Sequence, residues 1–144
     1  MKHPGSKSEF EAERNNEILK TYRRLLSETG YIVPAAIYAK LVNEPSSRFW
    51  VTEERAAVII SKMRKGHSLE RMRPNKREMF QEIYRRAMIL MERDRTMSVL
   101  EVAMKVVYQP APKFYIGPEY AEIIICKTKK KCYEERKKRL RHLF

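Results

Sequence analysis

Aspartate occurs once, glycine four times, histidine three times and cysteine twice in a chain of 144 residues, and each shortage closes off a class of protein. Four glycines and seven prolines exclude a collagen-like or low-complexity chain, and 43% hydrophobic residues suit a chain that folds. Two cysteines are too few for a disulfide scaffold. Cys126 and Cys132 sit six apart in a Lys-rich stretch that reads as one continuous helix, poor geometry for a bridge, and no further ligands lie nearby to make a zinc site. Both are expected to be free thiols in a reducing compartment. No run approaches the ~18 apolar residues of a membrane span, and the polar start from Met1 to Glu13 lacks the apolar core of a signal peptide. A cytoplasmic chain without a membrane partner is the expectation.

Catalytic constellations are equally scarce. There is no Gly-rich phosphate loop, no Cys-His metal spacing and no nucleophile motif. His3, His67 and His142 fall in the two tails and a linker, and Asp94 lies between Arg93 and Arg95, its expected surface partners. Glu54 and Glu119 each suit the first turn of a helix without any catalytic role. With base, nucleophile and oxyanion donor all missing, no enzyme, no cofactor and no metal is expected.

What the chain has in excess is positive charge: 31 Lys and Arg against 18 Asp and Glu, a net +13. Residues 62 to 77 carry +6 and residues 127 to 144 carry +7, so the other 110 residues balance at 15 of each sign. A few cations at a helix end complement its dipole, and a Lys-rich tail is often simply solvated. These two runs exceed that need, and such an excess fits a polyanion.

The chain also repeats. Val33 to Lys62 aligned with Ser98 to Lys127, an offset of 65, gives nine identities in 30 positions. Among them are Pro45/Pro110, Phe49/Phe114, Glu54/Glu119 and Ile59-Ile60/Ile124-Ile125, with Trp50/Tyr115 conserving an aromatic. Upstream, Tyr22-Arg23-Arg24 matches Tyr84-Arg85-Arg86 at an offset of 62, which predicts that the first helix of the second half is one turn longer. Chance alignment of helical periodicities cannot explain the match of Pro, Phe and an aromatic in a non-helical stretch.

Each half reads as three helices. Ser8-x-x-Glu11 forms a capping box for a helix through Ile18, Leu19, Tyr22 and Leu25. Pro34 opens a short helix stopped at Asn43 and Pro45, and Thr52 caps a third that Gly66 closes. In the second half Asn75 caps the first helix, Ser98-x-x-Glu101 starts the second, and Gly117-Pro118 starts the third. The expected fold is therefore mainly α: two tandem three-helix repeats sharing one core about a pseudo-two-fold. The boundaries are residues 1–66 (1–7 a disordered tail), a basic linker 67–74, a second repeat 75–128, and a basic helix or tail 129–144, all one compact domain. Arg48 to Val51 and Lys113 to Ile116 are rich in β-formers, and as two copies they could pair into a short two-stranded ribbon between the repeats.

The function these features favour is non-catalytic nucleic-acid binding, duplex DNA ahead of RNA, through phosphate contacts, as an accessory or regulatory factor. The candidate contacts are Lys62, Arg64, Lys65, Arg71, Arg73, Lys127, Lys129, Lys130, Lys131, Arg136, Lys137, Lys138, Arg139 and Arg141. Alternation places Trp50 and Tyr115 outward if Phe49 and Phe114 are buried, which makes them candidates for base stacking or partner contact. The second and third helices of each half resemble a helix-turn-helix in order and length. However, roughly nine residues separate them where the usual turn has three or four. Their third-helix N-termini also carry Glu53, Glu54 and Glu119, which phosphates repel, leaving Arg55 as the one cation there, with Tyr120 its counterpart. The alternative is a protein-interaction module whose aromatics and basic tail engage an acidic protein.

Overall fold

The computed structural model describes residues 6–30 and 33–143, with side chains from Phe10 onward. Six helices make up a mainly helical structure: α1 (Ser6–Glu28), α2 (Pro34–Val42), α3 (Glu53–Arg64), α4 (Pro74–Arg93), α5 (Val99–Val107) and α6 (Pro118–Arg141). Local chemistry sets most of their ends. Proline occupies the start of α2, α4 and α6, where a missing N–H costs no helical bond. The hydroxyls of Thr52 and Ser98 accept the backbone N–H of Arg55 and Glu101 at 3.2 Å. At the end of α3, Gly66 takes φ +89°, the left-handed conformation that glycine adopts without steric cost. That turn lets the N–H groups of Gly66 and His67 bond the carbonyls of Met63 and Lys62, at 3.0 and 3.1 Å.

Three local expectations need correction. Helix α1 begins at Ser6, so Ser8 lies inside its first turn instead of capping it; Ser6 and Lys7 are helical, and residues 1–5 of the expected tail lie outside the described residues. Helix α4 begins at Pro74, because proline prefers the first helical position, and Arg73, not Asn75, is its cap. The extra turn after Tyr84-Arg85-Arg86 is present, since α4 continues to Arg93 whereas α1 stops at Glu28. Even so, α4 with 20 residues is shorter than α1 with 23, because α1 extends further at its N-terminal end.

The helices sort into two bundles that do not follow the halves of the sequence. Helices α1, α2 and α6 pack together around Ile18, Leu25, Leu41, Phe114 and Ile125, whereas α3, α4 and α5 enclose Phe49, Ile60, Phe80, Ile83 and Val106. Each half thus gives its third helix to the other half's bundle. Among the described residues α2 makes no packing contact with α3, nor α5 with α6, so the helix-turn-helix resemblance fails in three dimensions. The cause lies in the connections. Asn43 to Thr52 and Tyr108 to Gly117 run across the molecule, and each buries a phenylalanine in the opposite bundle, Phe49 against the α3, α4, α5 cluster and Phe114 against the α1, α2, α6 cluster.

Where the connections cross they pair at one point. Ser46 and Ala111, both buried, exchange two backbone hydrogen bonds of 2.9 Å in an antiparallel bridge. Beyond it the Phe49 N–H donates to the Val107 carbonyl (2.9 Å) and the Phe114 N–H to the Val42 carbonyl (3.3 Å). The expected ribbon of residues 48–51 with 113–116 does not form, and the described residues contain no strand. These amides instead satisfy carbonyls left open at the ends of α5 and α2, and Tyr115, at φ 58°, breaks the extended run. Two arginines brace the crossing: Arg24 reaches Glu44 at 3.0 Å, and Arg86 donates to the Pro110 carbonyl at 2.8 Å and to Gln109 at 3.3 Å.

Two outcomes follow from this packing. Residues 1–70 and 71–144 expressed separately will lack cooperative unfolding, because each is missing one helix of one bundle and two of the other, and an equimolar mixture will regain helical circular dichroism and a single transition. Phe49→Ala in the full chain will cost about 3–5 kcal/mol in urea unfolding, as expected for an emptied aromatic core position.

Candidate nucleic-acid interface

All fourteen candidate cations are exposed, and none forms an ion pair with a described residue; the ion pairs use Arg24, Arg85, Arg86 and Lys113 instead. Lys62 and Arg64 lie in the last turn of α3, Lys65 caps it, Arg71 lies in the connection and Arg73 caps α4. The other nine line α6. The last fully buried side chain of that helix is Thr128, which donates to the Ile124 carbonyl, and Cys132 is half-buried. From Tyr133 onward every described side chain is exposed, yet the helix continues to Arg141. Its apolar side chains do not pack either: Tyr133 is 60%, Leu140 49% and Leu143 75% exposed, and Phe144 lies outside the described residues. The segment is a solvated cationic helix reaching roughly 13 Å beyond the body.

The two basic runs stay apart. Lys62 and Arg71 border a cavity of about 280 Å³ with Arg55, and Arg73 borders another with Arg55 and Lys76. Arg64 faces elsewhere, towards Met88, Met91 and Arg95. None of these three cavities is lined by a residue of the α6 extension.

The aromatic expectation is half right. Phe49 and Phe114 are buried as expected, but Tyr115 is buried too, its ring stacked on Phe49 with centroids 6.1 Å apart. Simple alternation assumes extended backbone, and the left-handed φ of Tyr115 sends adjacent rings inward, Phe114 to one cluster and Tyr115 to the other. Trp50 is half-buried; it stacks on Phe10 at 5.9 Å, and its Nε1 donates to the Ser46 hydroxyl at 2.8 Å. The preceding cations are occupied as well. Arg48 lies over Trp50 and Tyr108 and donates to the Val51 carbonyl, and Lys113 pairs with Glu78 at 2.7 Å.

What sequence reading does not assemble is a cleft where the N-terminal ends of α1, α3, α4 and α6 converge. Two adjoining cavities, of about 430 and 650 Å³, share Arg55, Lys76, Tyr115, Ile116 and Tyr120; Arg14 borders the first and Arg73 the second. The acids of the α3 first turn face a separate cavity, where Glu53 and Glu54 join Glu13 and Arg48, and the Tyr108 hydroxyl donates to Glu53. Arg55 does not line that cavity, which meets the cleft at Phe10 and Thr52. The one sequence clue to the cleft is that Arg55 and Tyr120 align at the repeat offset of 65.

Ionisation is perturbed at few places. Burial pushes the Tyr115 hydroxyl up to about 12, with Glu82 and Glu78 adding and Arg86 opposing. Tyr38 rises to about 12 through burial, then through Tyr22, whose ring stacks on it at 5.8 Å, and through Glu122 and Cys126. Asp94 is lowered because it accepts from the Thr96 hydroxyl and backbone N–H; its expected arginine neighbours form no ion pair with it. Cys126 and Cys132 are unbridged on α6. No cluster of three or more metal-ligating side chains occurs, and no helix is long and apolar enough to cross a membrane, among the described residues. Searches against protein-family models, curated proteins and solved structures find no match to this chain.

The tyrosine shifts give an alkaline signature. An unfolded tyrosine ionises near ~10, whereas folded Tyr38 and Tyr115 hold their protons to about 12. Between those values the unfolded state binds fewer protons, so stability falls as pH rises. Urea unfolding measured across this range will show that decline, and Tyr115→Phe will make it shallower.

Proposed function

We propose that this chain is a non-catalytic nucleic-acid-binding protein, with duplex DNA favoured as its partner ahead of RNA, that binds mainly through phosphates as an accessory or regulatory factor of the cytoplasm. The observation that carries the reading is the α6 extension: a solvated helix from Tyr133 to Arg141 bearing Arg136, Lys137, Lys138, Arg139 and Arg141, none in an ion pair with a described residue. Two acids in the segment, Glu134 and Glu135, leave it strongly positive. Unpaired cations on a rigid rod keep their charge available and give up little conformational freedom in the backbone when they bind, which suits a regularly charged polyanion.

The proposal includes an architecture of two tandem three-helix repeats, forming one compact domain about a pseudo-two-fold that passes near the Ser46–Ala111 bridge. Three sets of contacts support it. The bridged residues align at the offset of 65, and so do the partners in the Phe49–Val107 and Phe114–Val42 hydrogen bonds. Arg24 and Arg86, aligned at 62, reach Glu44 and Gln109, which align at 65. Exchange of the third helices then generates equivalent pairs, α2 with α6 and α5 with α3. In this arrangement the two basic segments follow the same point of each repeat, so phosphate contacts at two places on one duplex are expected.

A labelled blunt duplex titrated at several ionic strengths tests the function. Log affinity will fall linearly with log salt, at a slope of roughly 0.9 per phosphate contact. Replacing Lys137, Lys138, Arg139 and Arg141 with Gln will weaken binding uniformly over sequences and flatten the slope. Stability will stay within about 0.5 kcal/mol, since the positions are exposed. No binding even at ~50 mM salt would transfer the cationic surface to an acidic protein partner.

A further inference from the structure

We infer that the cleft at the converging N-termini of α1, α3, α4 and α6 binds a single-stranded segment of nucleic acid, seating an unpaired base on Tyr120 and its phosphates on Arg55 and Lys76. The inference rests on the nucleic-acid reading; Tyr120, Arg14, Arg55 and Lys76 lie outside the fourteen cations that the duplex proposal assigns, whereas Lys62, Arg71 and Arg73 are shared with it.

Three features of the cleft select this occupant. Its floor is apolar and aromatic: the 430 Å³ cavity is lined by Met79, Phe80, Phe114 and Ile116. Tyr120 stands at its edge, 47% exposed, with the Arg14 guanidinium 5.8 Å from the ring centroid. An exposed ring beside an apolar floor offers a base the π-face that Arg14 does not cover, and Tyr120 makes neither of the ring stacks that hold Trp50 and Tyr115. Its cations are Arg14, Arg55, Arg73 and Lys76, against one lining carboxylate, Glu11, and none of the four is in an ion pair with a described residue. The first turns of α3, α4 and α6 add the partial positive charge of their dipoles.

The third feature is continuity. Arg55 borders three successive cavities, and Lys62 and Arg71 lie in the outermost of them with one carboxylate, Glu70. A cationic track therefore leads along the outer side of α3 into the cleft, with the aromatic platform at its inner end. A track for the backbone and a ring for the base is the arrangement by which proteins hold single strands without reading sequence. An acidic peptide would match the charge but would leave a flat ring and a linear row of cations without a specific use. The acids Glu53 and Glu54, which would repel either ligand, line a different cavity that adjoins the cleft at Phe10 and Thr52.

The test compares a labelled blunt duplex, the same duplex with a short oligothymidine extension, and oligothymidine alone, each titrated with the full chain. Expected is an extension that raises affinity about tenfold or more, as for one stacked base. Tyr120→Ala will abolish that increment and leave blunt-duplex affinity unchanged, whereas Tyr120→Phe will keep it; melting curves will confirm that both variants are folded. Arg55→Gln with Lys76→Gln will reduce the increment and its salt dependence. Equal affinity for blunt and extended duplexes overturns the cleft assignment while leaving duplex binding intact. Binding of oligothymidine alone, sensitive to Tyr120→Ala and without binding of the blunt duplex, upholds the cleft and overturns the duplex reading. An acidic aromatic peptide that binds where oligothymidine does not overturns the assignment in favour of a protein ligand.

Discussion

The exchange of two hydrogen bonds between Ser46 and Ala111 is the constraint on which the rest of the structure depends. A connection that crosses a protein interior carries backbone N–H and carbonyl groups that must be satisfied away from water. Here each crossing segment satisfies the other, first at the Ser46–Ala111 bridge and then through Phe49 and Phe114 to the open carbonyls of the opposite short helices. With those groups paired, each segment can bury its phenylalanine across the molecule and deliver its third helix to the far bundle. Loss of one crossing would strand polar groups in the other, so the two bundles are coupled through backbone chemistry as well as through their cores.

Much of the fold is legible in the sequence because helix limits are set locally. Proline at a first helical position, Thr52 and Ser98 at caps, and Gly66 at a left-handed stop each act within a few residues, and all are found where their chemistry predicts. The exchange is not legible in the same way. Periodicity says which face of α3 is apolar but not which helix covers it, and a ten-residue connection is long enough either to fold back or to cross. The ribbon expectation failed for a related reason: β-propensity at residues 48–51 and 113–116 reflected a need to bury aromatics, which those residues meet without pairing.

The site divides along similar lines. Charge totals survive in any fold, so the cationic extension of α6 could be expected from composition. The cleft needs Arg14, Arg55, Lys76 and Tyr120, which come from four helices and meet only because the third helices are exchanged. Within α3, Glu53 and Glu54 line one cavity and Arg55 the next, the two meeting at Phe10 and Thr52. Electrostatic sign along a sequence is thus a poor guide to sign across a surface, and the acids that argued against anion binding at this helix end occupy another cavity.

The unequal topology of the two bundles carries over to biosynthesis. Helices α3, α4 and α5 are consecutive, so that bundle can close from a continuous stretch once its last core residue, Tyr115, is free of the ribosome. The other bundle pairs α1 and α2 with a helix that emerges more than 70 residues after α2 ends. Until then the apolar faces of α1 and α2 stay uncovered, a state that low contact order avoids and that holding chaperones serve. On the nascent chain α1 and α2 therefore emerge well before α6, the helix that completes their bundle.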